Sequence, residues 1–212
     1  SHMSGFVSML ADNLVLVNVV FVASACGALL SFTAGAALTA VLVNWGRVHH
    51  LRSGFALPLL LEAVLMLLFG LIGSTFNRQT PFAVPFTVLL LAFIMGLQNA
   101  LVTKISSAQI RTTHMTGVIT DLGIELGKML YWNGQPRGQG AQVRANPARL
   151  RLFATLLGLF TVGGVVGAAG FKHIGFIWVL PLATLLLSLS LPPLLGDLRR
   201  LGRLLEQRAA AD

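Results

Sequence analysis

Glu62 stands well inside an apolar run, and an ionisable side chain there needs a physical reason. Placing an acidic residue at the centre of a membrane helix costs roughly 3 kcal/mol, so such a residue is expected to turn toward the interior of a helix bundle. Away from water the charged form is the expensive one, and a carboxyl held there can take or release a proton. A hydrogen bond between helices is the structural alternative, and both readings stay open. Gln98 and Asn99 end a later apolar run with two amides, whose donors and acceptors can line a polar cavity or cap backbone groups. Thr112, Thr113, Thr116 and Gly117 then form a turn ahead of Asp121. A helix starting at that turn presents free N–H groups at its positive end, which is how broken helices hold anions or polar substrate groups. A helix cap alone also explains the threonines. These eight residues are the candidate substrate or ion site, with Asp121 one turn inside the helix.

Asp121, Glu125 and Lys128 share one helical face at i, i+4 and i+7. A face of that kind is commonly just solvated, and Asp121 is the member nearest the threonine turn. The histidines are scattered, and the adjacent pair His49 and His50 lacks helical metal-ligand spacing. Cys26 is alone inside an apolar run, so neither a disulfide framework nor a cysteine metal cluster is expected. With no nucleophile elbow and no phosphate-cradling glycine loop either, the chain reads as a non-enzyme without metal or cofactor.

Positioning these residues is the work of lipid-facing helices. Of 212 residues 55% are hydrophobic and 10% charged, far from the balance of a soluble domain. The apolar runs do not alternate as barrel strands do, so the fold expected is all-α, a polytopic helical membrane bundle of about five spans with short amphipathic or re-entrant helices. The formal charge of +8 sits between the apolar runs and not on a soluble basic face, which excludes nucleic acid and suits topology signals with membrane lipids as partners.

Ser1, His2 and Met3 read as a tag remnant, and residues 4–212 as one integral membrane domain. As one straight helix, residues 14–43 would run about 45 Å against a hydrocarbon core of about 30 Å. A break near Asn18 is therefore expected, with a span over about 21–43. Gly27, Ser31, Gly35 and Thr39 line one face of that span with small side chains that allow close helix approach. Further spans are expected over about 55–73 and 82–101, each with an early proline, Pro58 or Pro85. Residues 133–151 read as a surface loop rich in Gly, Gln, Pro and Arg. The fourth span, about 152–171, carries Gly163, Gly164 and Gly167 in GxxxG-type spacing for helix packing. The fifth, about 174–195, has Pro181 as a kink and ends at Pro192 and Pro193. Residues 196–212 form an amphipathic tail expected to lie on the membrane surface.

The sequence MGLQNA, followed by RTTHMTG and ITDLG, resembles the YoaK family of bacterial membrane proteins, a domain-of-unknown-function family. The motifs carry over to Gly96, Leu97, Gln98 and Asn99, to Thr112, Thr113, Met115, Thr116 and Gly117, and a Leu-Glu pair to Leu61 and Glu62. The resemblance implies a six-helix protein whose first helix has no counterpart here. It covers the chain from about Phe6, and the family's early motif stands as FVSMLADN, with Ala11 and Asp12 where Thr and Gly are expected. Independently, residues 10–17 can be laid on 115–122, each followed by a glycine- and alanine-rich span and then another span. That pattern predicts a 3+3-type inverted repeat lacking its first helix, with halves at 5–73 and 82–195.

Two function classes follow. One is a small-solute or ion transporter of the bacterial inner membrane, proton-coupled through Glu62, its solute unknown. The other is a non-transporting membrane interaction or scaffold protein. Counting five spans places most Arg and Lys residues on one side, which the positive-inside bias makes the cytoplasm, together with the C-terminus. The groove near residues 9–20 is expected to be filled by lipid or by a second copy, as a homodimer.

Overall fold

The computed structural model describes residues 3–49, 51, 53–75, 83–106, 115–131 and 143–209. The described residues are all-α: α1 (Met3–Val15), α2 (Val19–Val48), α3 (Ala56–Thr75), α4 (Ala83–Ile105), α5 (Met115–Leu130), α6 (Pro147–His173) and α7 (Val179–Ala209), with a 3-10 turn at Gly175–Trp178 before α7. Five helices are long and apolar enough to cross a membrane: Val19–Val48, Ala56–Thr75, Pro85–Ile105, Pro147–His173 and Gly175–Arg200. This composition fits a multi-pass membrane protein. Two compact units are present, Ser1–Ile110 with Phe171–Asp212, and Arg111–Gly170.

In the first unit α1 ends where the chain must turn back along α2. Asn18 N–H donates to the Asn13 carbonyl at 3.0 Å and Val17 N–H to Leu14 at 3.4 Å, the paired bonds of a Schellman closure. The left-handed position of that motif usually holds glycine, and here it is Val17, with φ of 55°. The half-buried face of α1, Met3, Phe6, Met9, Leu10 and Asn13, packs on α2, so Met3 belongs to a helix despite reading as part of a tag.

α2 lies along α4 at backbone contact. Ser31 Oγ donates to the Leu89 carbonyl at 2.7 Å and Thr39 Oγ1 to the Leu97 carbonyl at 3.1 Å. Between them a Cβ on Gly35 would overlap the Phe93 carbonyl, and one on Gly96 would overlap that of Phe32. Gly27 faces Leu89 one turn earlier. Partners ascend together along both helices, so α2 and α4 run parallel.

α3 runs against them. Gly46, near the end of α2, meets Gly54 just before α3, while Phe69, near the end of α3, clusters with Leu90 and Ile94 in the first half of α4. α7 is antiparallel to α3 as well: Gly70 faces Phe176 and Val179, and Ser53 N–H donates to Asp197 Oδ2 at 2.9 Å. Phe69, Phe171 and Phe176 complete the closed end with edge-on ring contacts.

Pro181 lies in the first turn of α7, where a missing N–H costs little. Pro192 and Pro193 do not end α7, which continues through them to Ala209, leaving the carbonyls of Ser188 and Leu189 without their helical donors.

Candidate functional site

Glu62 is 1% exposed, and its Oε1 has no hydrogen-bond partner. It stands two turns before Phe69 on the same face of α3, the face that packs on α4 and α7. Advancing the antiparallel register by two turns from the Phe69 cluster brings Leu97 and Leu101 of α4 to its level, 1% and 3% exposed. From α7 the same step reaches the stripe Val179, Ala183, Ser190, Asp197, all buried and facing α3. A carboxyl with an unspent oxygen is therefore held largely among hydrocarbon, nearly two turns inside α3.

Gln98 and Asn99 do not share one position relative to it. Helical periodicity sets Gln98, half-buried, on the flank of the α4 face that packs on α3, and turns Asn99 to the opposite side. The Asn99 carbonyl accepts Thr103 Oγ1 at 2.7 Å. Thr116, Gly117 and Asp121 belong to the second unit, where each is exposed on α5. Thr112 and Thr113 lie outside the described residues. Of the packing residues, Gly27, Ser31 and Gly35 sit in the α2–α4 seam, whereas within the second unit a Cβ on Gly163, Gly164 or Gly167 meets open space.

The family model for a protein of unknown function, DUF1275, matches residues 1–191. The chain belongs to the DUF1275 family. No curated protein and no solved structure matches it.

The second unit of this DUF1275 member holds a buried carboxylate that the sequence reading had set behind Asp121. Glu125 accepts Lys128 Nζ at 2.8 Å through Oε1 and the Asn146 N–H at 2.7 Å through Oε2. The Lys128 bond and then the Asn146 bond hold its carboxyl below the ordinary carboxylate range, helped by the nearby charges of Lys128 and Arg149 and opposed by desolvation. Asn146 in turn caps α6, its Oδ1 accepting Ala148 N–H at 3.0 Å and Arg149 N–H at 3.3 Å. The loop expected to reach residue 151 is therefore helix from Pro147 onward. Asn followed by Pro, an N-cap residue before the favoured first-turn proline, was the available signal.

Asp197 is the other residue sequence reasoning missed. It is 8% exposed and joins α7 to the α2–α3 connection through Ser53, whose own hydroxyl is buried without a partner. Reading the prolines as a helix end had placed Asp197 on a surface tail. Among the described residues no group of His, Cys, Asp and Glu is arranged to hold a metal.

Proposed function

We propose that this protein is a small-solute or ion transporter of the bacterial inner membrane, coupled to protons through Glu62. The observation that carries the reading is Glu62 itself, buried in a spanning helix with an oxygen no protein group satisfies. Such residues are expensive and concentrate where substrates and protons move. α7 runs antiparallel to α3, the sense an inverted repeat requires of the last helix in its two copies, and this supports a repeat with equivalents at residues 10–73 and 115–195. The motifs around Gln98 and Thr116 support placement with the YoaK family.

Within the first unit Arg47, Lys104, Arg199 and Arg200 gather at one end and Lys172 at the other. The positive-inside bias makes the first end, with the C-terminus, cytoplasmic. Leu14, Val15, Leu16, Val17, Val19 and Val20 are each at least 60% exposed, and in this reading lipid or a second copy covers them.

The test is uptake into liposomes over a panel of small solutes and ions under imposed pH gradients. Glu62→Gln keeps shape and hydrogen-bonding capacity and should abolish the pH dependence of uptake. An unchanged pH response in that variant refutes the coupling, and no uptake of any solute refutes transport. The rigid α2–α4 seam favours the second reading, a non-transporting membrane interaction or scaffold protein, which is what an uptake-negative, fully folded protein would leave.

A further inference from the structure

We infer that Glu62 of α3 and Ser190 of α7 form an occluded proton site across the α3–α7 seam, in which the Ser190 hydroxyl oxygen accepts the hydrogen bond of the protonated carboxyl and alkali cations find no shell. The inference rests on the proposed coupling role of Glu62 and names its partner and its ion selectivity.

The seam is pinned at both ends, by Ser53 with Asp197 and by Gly70 with Val179. Counting along the antiparallel helices from either end puts Ser190 level with Leu59 or Leu60, about 3–5 Å along the axis from Glu62. Side chains on a helix lean toward its N-terminus. In an antiparallel pair Glu62 therefore leans toward the level of Ser190, and Ser190 leans toward Glu62. Both face the seam, 1% and 0% exposed.

Their hydrogen-bonding capacities are complementary. Ser190 Oγ donates its proton to the Leu187 carbonyl at 3.2 Å, which leaves lone pairs on that oxygen for an incoming donor. Protonated Glu62 offers one donor and has no acceptor in the present arrangement. A side-chain rotation at Glu62 brings the two together. An alkali cation, by contrast, gives up its hydration only to a shell of several oxygens, and the buried residues at this level are Leu97 and Leu101 of α4 with Thr39 of α2, whose hydroxyl proton is already spent on the Leu97 carbonyl.

Among the described residues, the other titratable and charged groups on the elements packed against α3 lie toward the ends. Arg47 and His49 of α2, Lys104 of α4, and Asp197, Arg199 and Arg200 of α7 are at one end, with Asp197 bonded to Ser53. Lys172 and His173, before the 3-10 turn, are at the other, and Cys26 of α2 lies toward them. Lys104, one turn past Leu101, is the nearest of them along α4, and none forms an ion pair with Glu62.

A hydrophobic carbodiimide reads this site without any transport substrate. The carboxyl O–H adds across a C=N bond: oxygen bonds to the carbodiimide carbon and the proton goes to nitrogen. Rearrangement to the N-acylurea then keeps the whole reagent mass on the side chain. With dicyclohexylcarbodiimide on the full chain in liposomes, mass spectrometry should find Glu62 labelled, with labelling falling as rising pH removes the carboxyl proton. Sodium or potassium chloride at constant pH should leave labelling unchanged, and Glu62→Gln should abolish it. Ser190→Ala should label about two- to tenfold more slowly on that falling limb, the loss of one hydrogen bond to the protonated form, and Ser190→Thr should restore the rate.

Protection by either salt overturns the proton selectivity. Parental labelling of Ser190→Ala at every pH overturns the role of Ser190, and no Glu62 labelling in folded protein overturns the site. Absence of solute uptake with this labelling pattern intact removes the transport reading and leaves the proton site standing.

Discussion

Replacing Gly35 by alanine tests the central contact of the first unit. The new methyl would overlap the Phe93 carbonyl and stand 3.1 Å from Leu97 N, both backbone atoms that cannot swing aside. α2 and α4 must then separate. Overpacking of this kind costs about 1–3 kcal/mol. Separation also stretches the flanking bonds, Ser31 to Leu89 at 2.7 Å and Thr39 to Leu97 at 3.1 Å, each worth about 0.6 kcal/mol in membrane bundles. Alanine recovers up to about 1 kcal/mol of helix propensity, which leaves a net loss of about 1–3 kcal/mol. Two controls grade the effect. A methyl on Gly27 meets only the end of the Leu89 side chain, at 3.1 Å, so Gly27→Ala should stay within about 1 kcal/mol of the parent. Gly163→Ala meets nothing within 4 Å and should be neutral or stabilising. Reversible unfolding in mixed micelles, by titration of a denaturing detergent, measures all three. Equal stability of Gly35→Ala and Gly163→Ala would refute the backbone contact.

Val17→Gly relieves a left-handed conformation that costs a side chain about 1–2 kcal/mol and gives back roughly 0.5–1 kcal/mol in unfolded-chain freedom. It should therefore match or exceed parental stability in the same unfolding assay, whereas an appreciable loss would mean that Val17 is not left-handed in the membrane. Asp197→Ala leaves the buried Ser53 N–H without its acceptor and should cost about 1–3 kcal/mol, with faster hydrogen exchange at Ser53. Glu125, held below the ordinary carboxylate range, stabilises the α5–α6 junction fully above its unfolded-state value, and that contribution is lost as pH falls through its folded-state value. The Asn146 amide chemical shift should report that acid transition, and Glu125→Gln should remove it.

The helices were legible because lipid imposes one strong rule, and every long apolar run had to become a closed hydrogen-bonded helix. Partners were less legible. Gly27, Ser31 and Gly35 show their four-residue spacing in the sequence, but nothing local selects α4 and its carbonyls at Leu89 and Leu97. Gly163 and Gly167 carry the same kind of spacing and stay open within their own unit, because small residues permit close approach without supplying a neighbour. The end of the fifth span was misplaced for a different reason. Pro192 and Pro193 are strong local breakers, and the helix persists through them into a segment that Asp197 ties to Ser53, a long-range bond no local rule contains. At the site, Glu62 was visible as a charge in an apolar run. Ser190 was not, since one serine among several in α7 is distinguished only by which face meets α3.

The three buried carboxyl groups of the described residues differ in what offsets their burial. Asp197 accepts a backbone N–H that would otherwise be stranded, and Glu125 accepts a lysine and the amide of a helix cap. In both, burial is offset by bonds to the carboxylate, and truncation would leave a donor unpaired. Glu62 is buried more deeply than either and has no such return. A leucine in its place would fit the surrounding hydrocarbon at no electrostatic cost. A structural account of Glu62 therefore needs a bonded partner that the resting arrangement lacks. An account in which the group exchanges a proton needs the oxygen to be unspent, and it is.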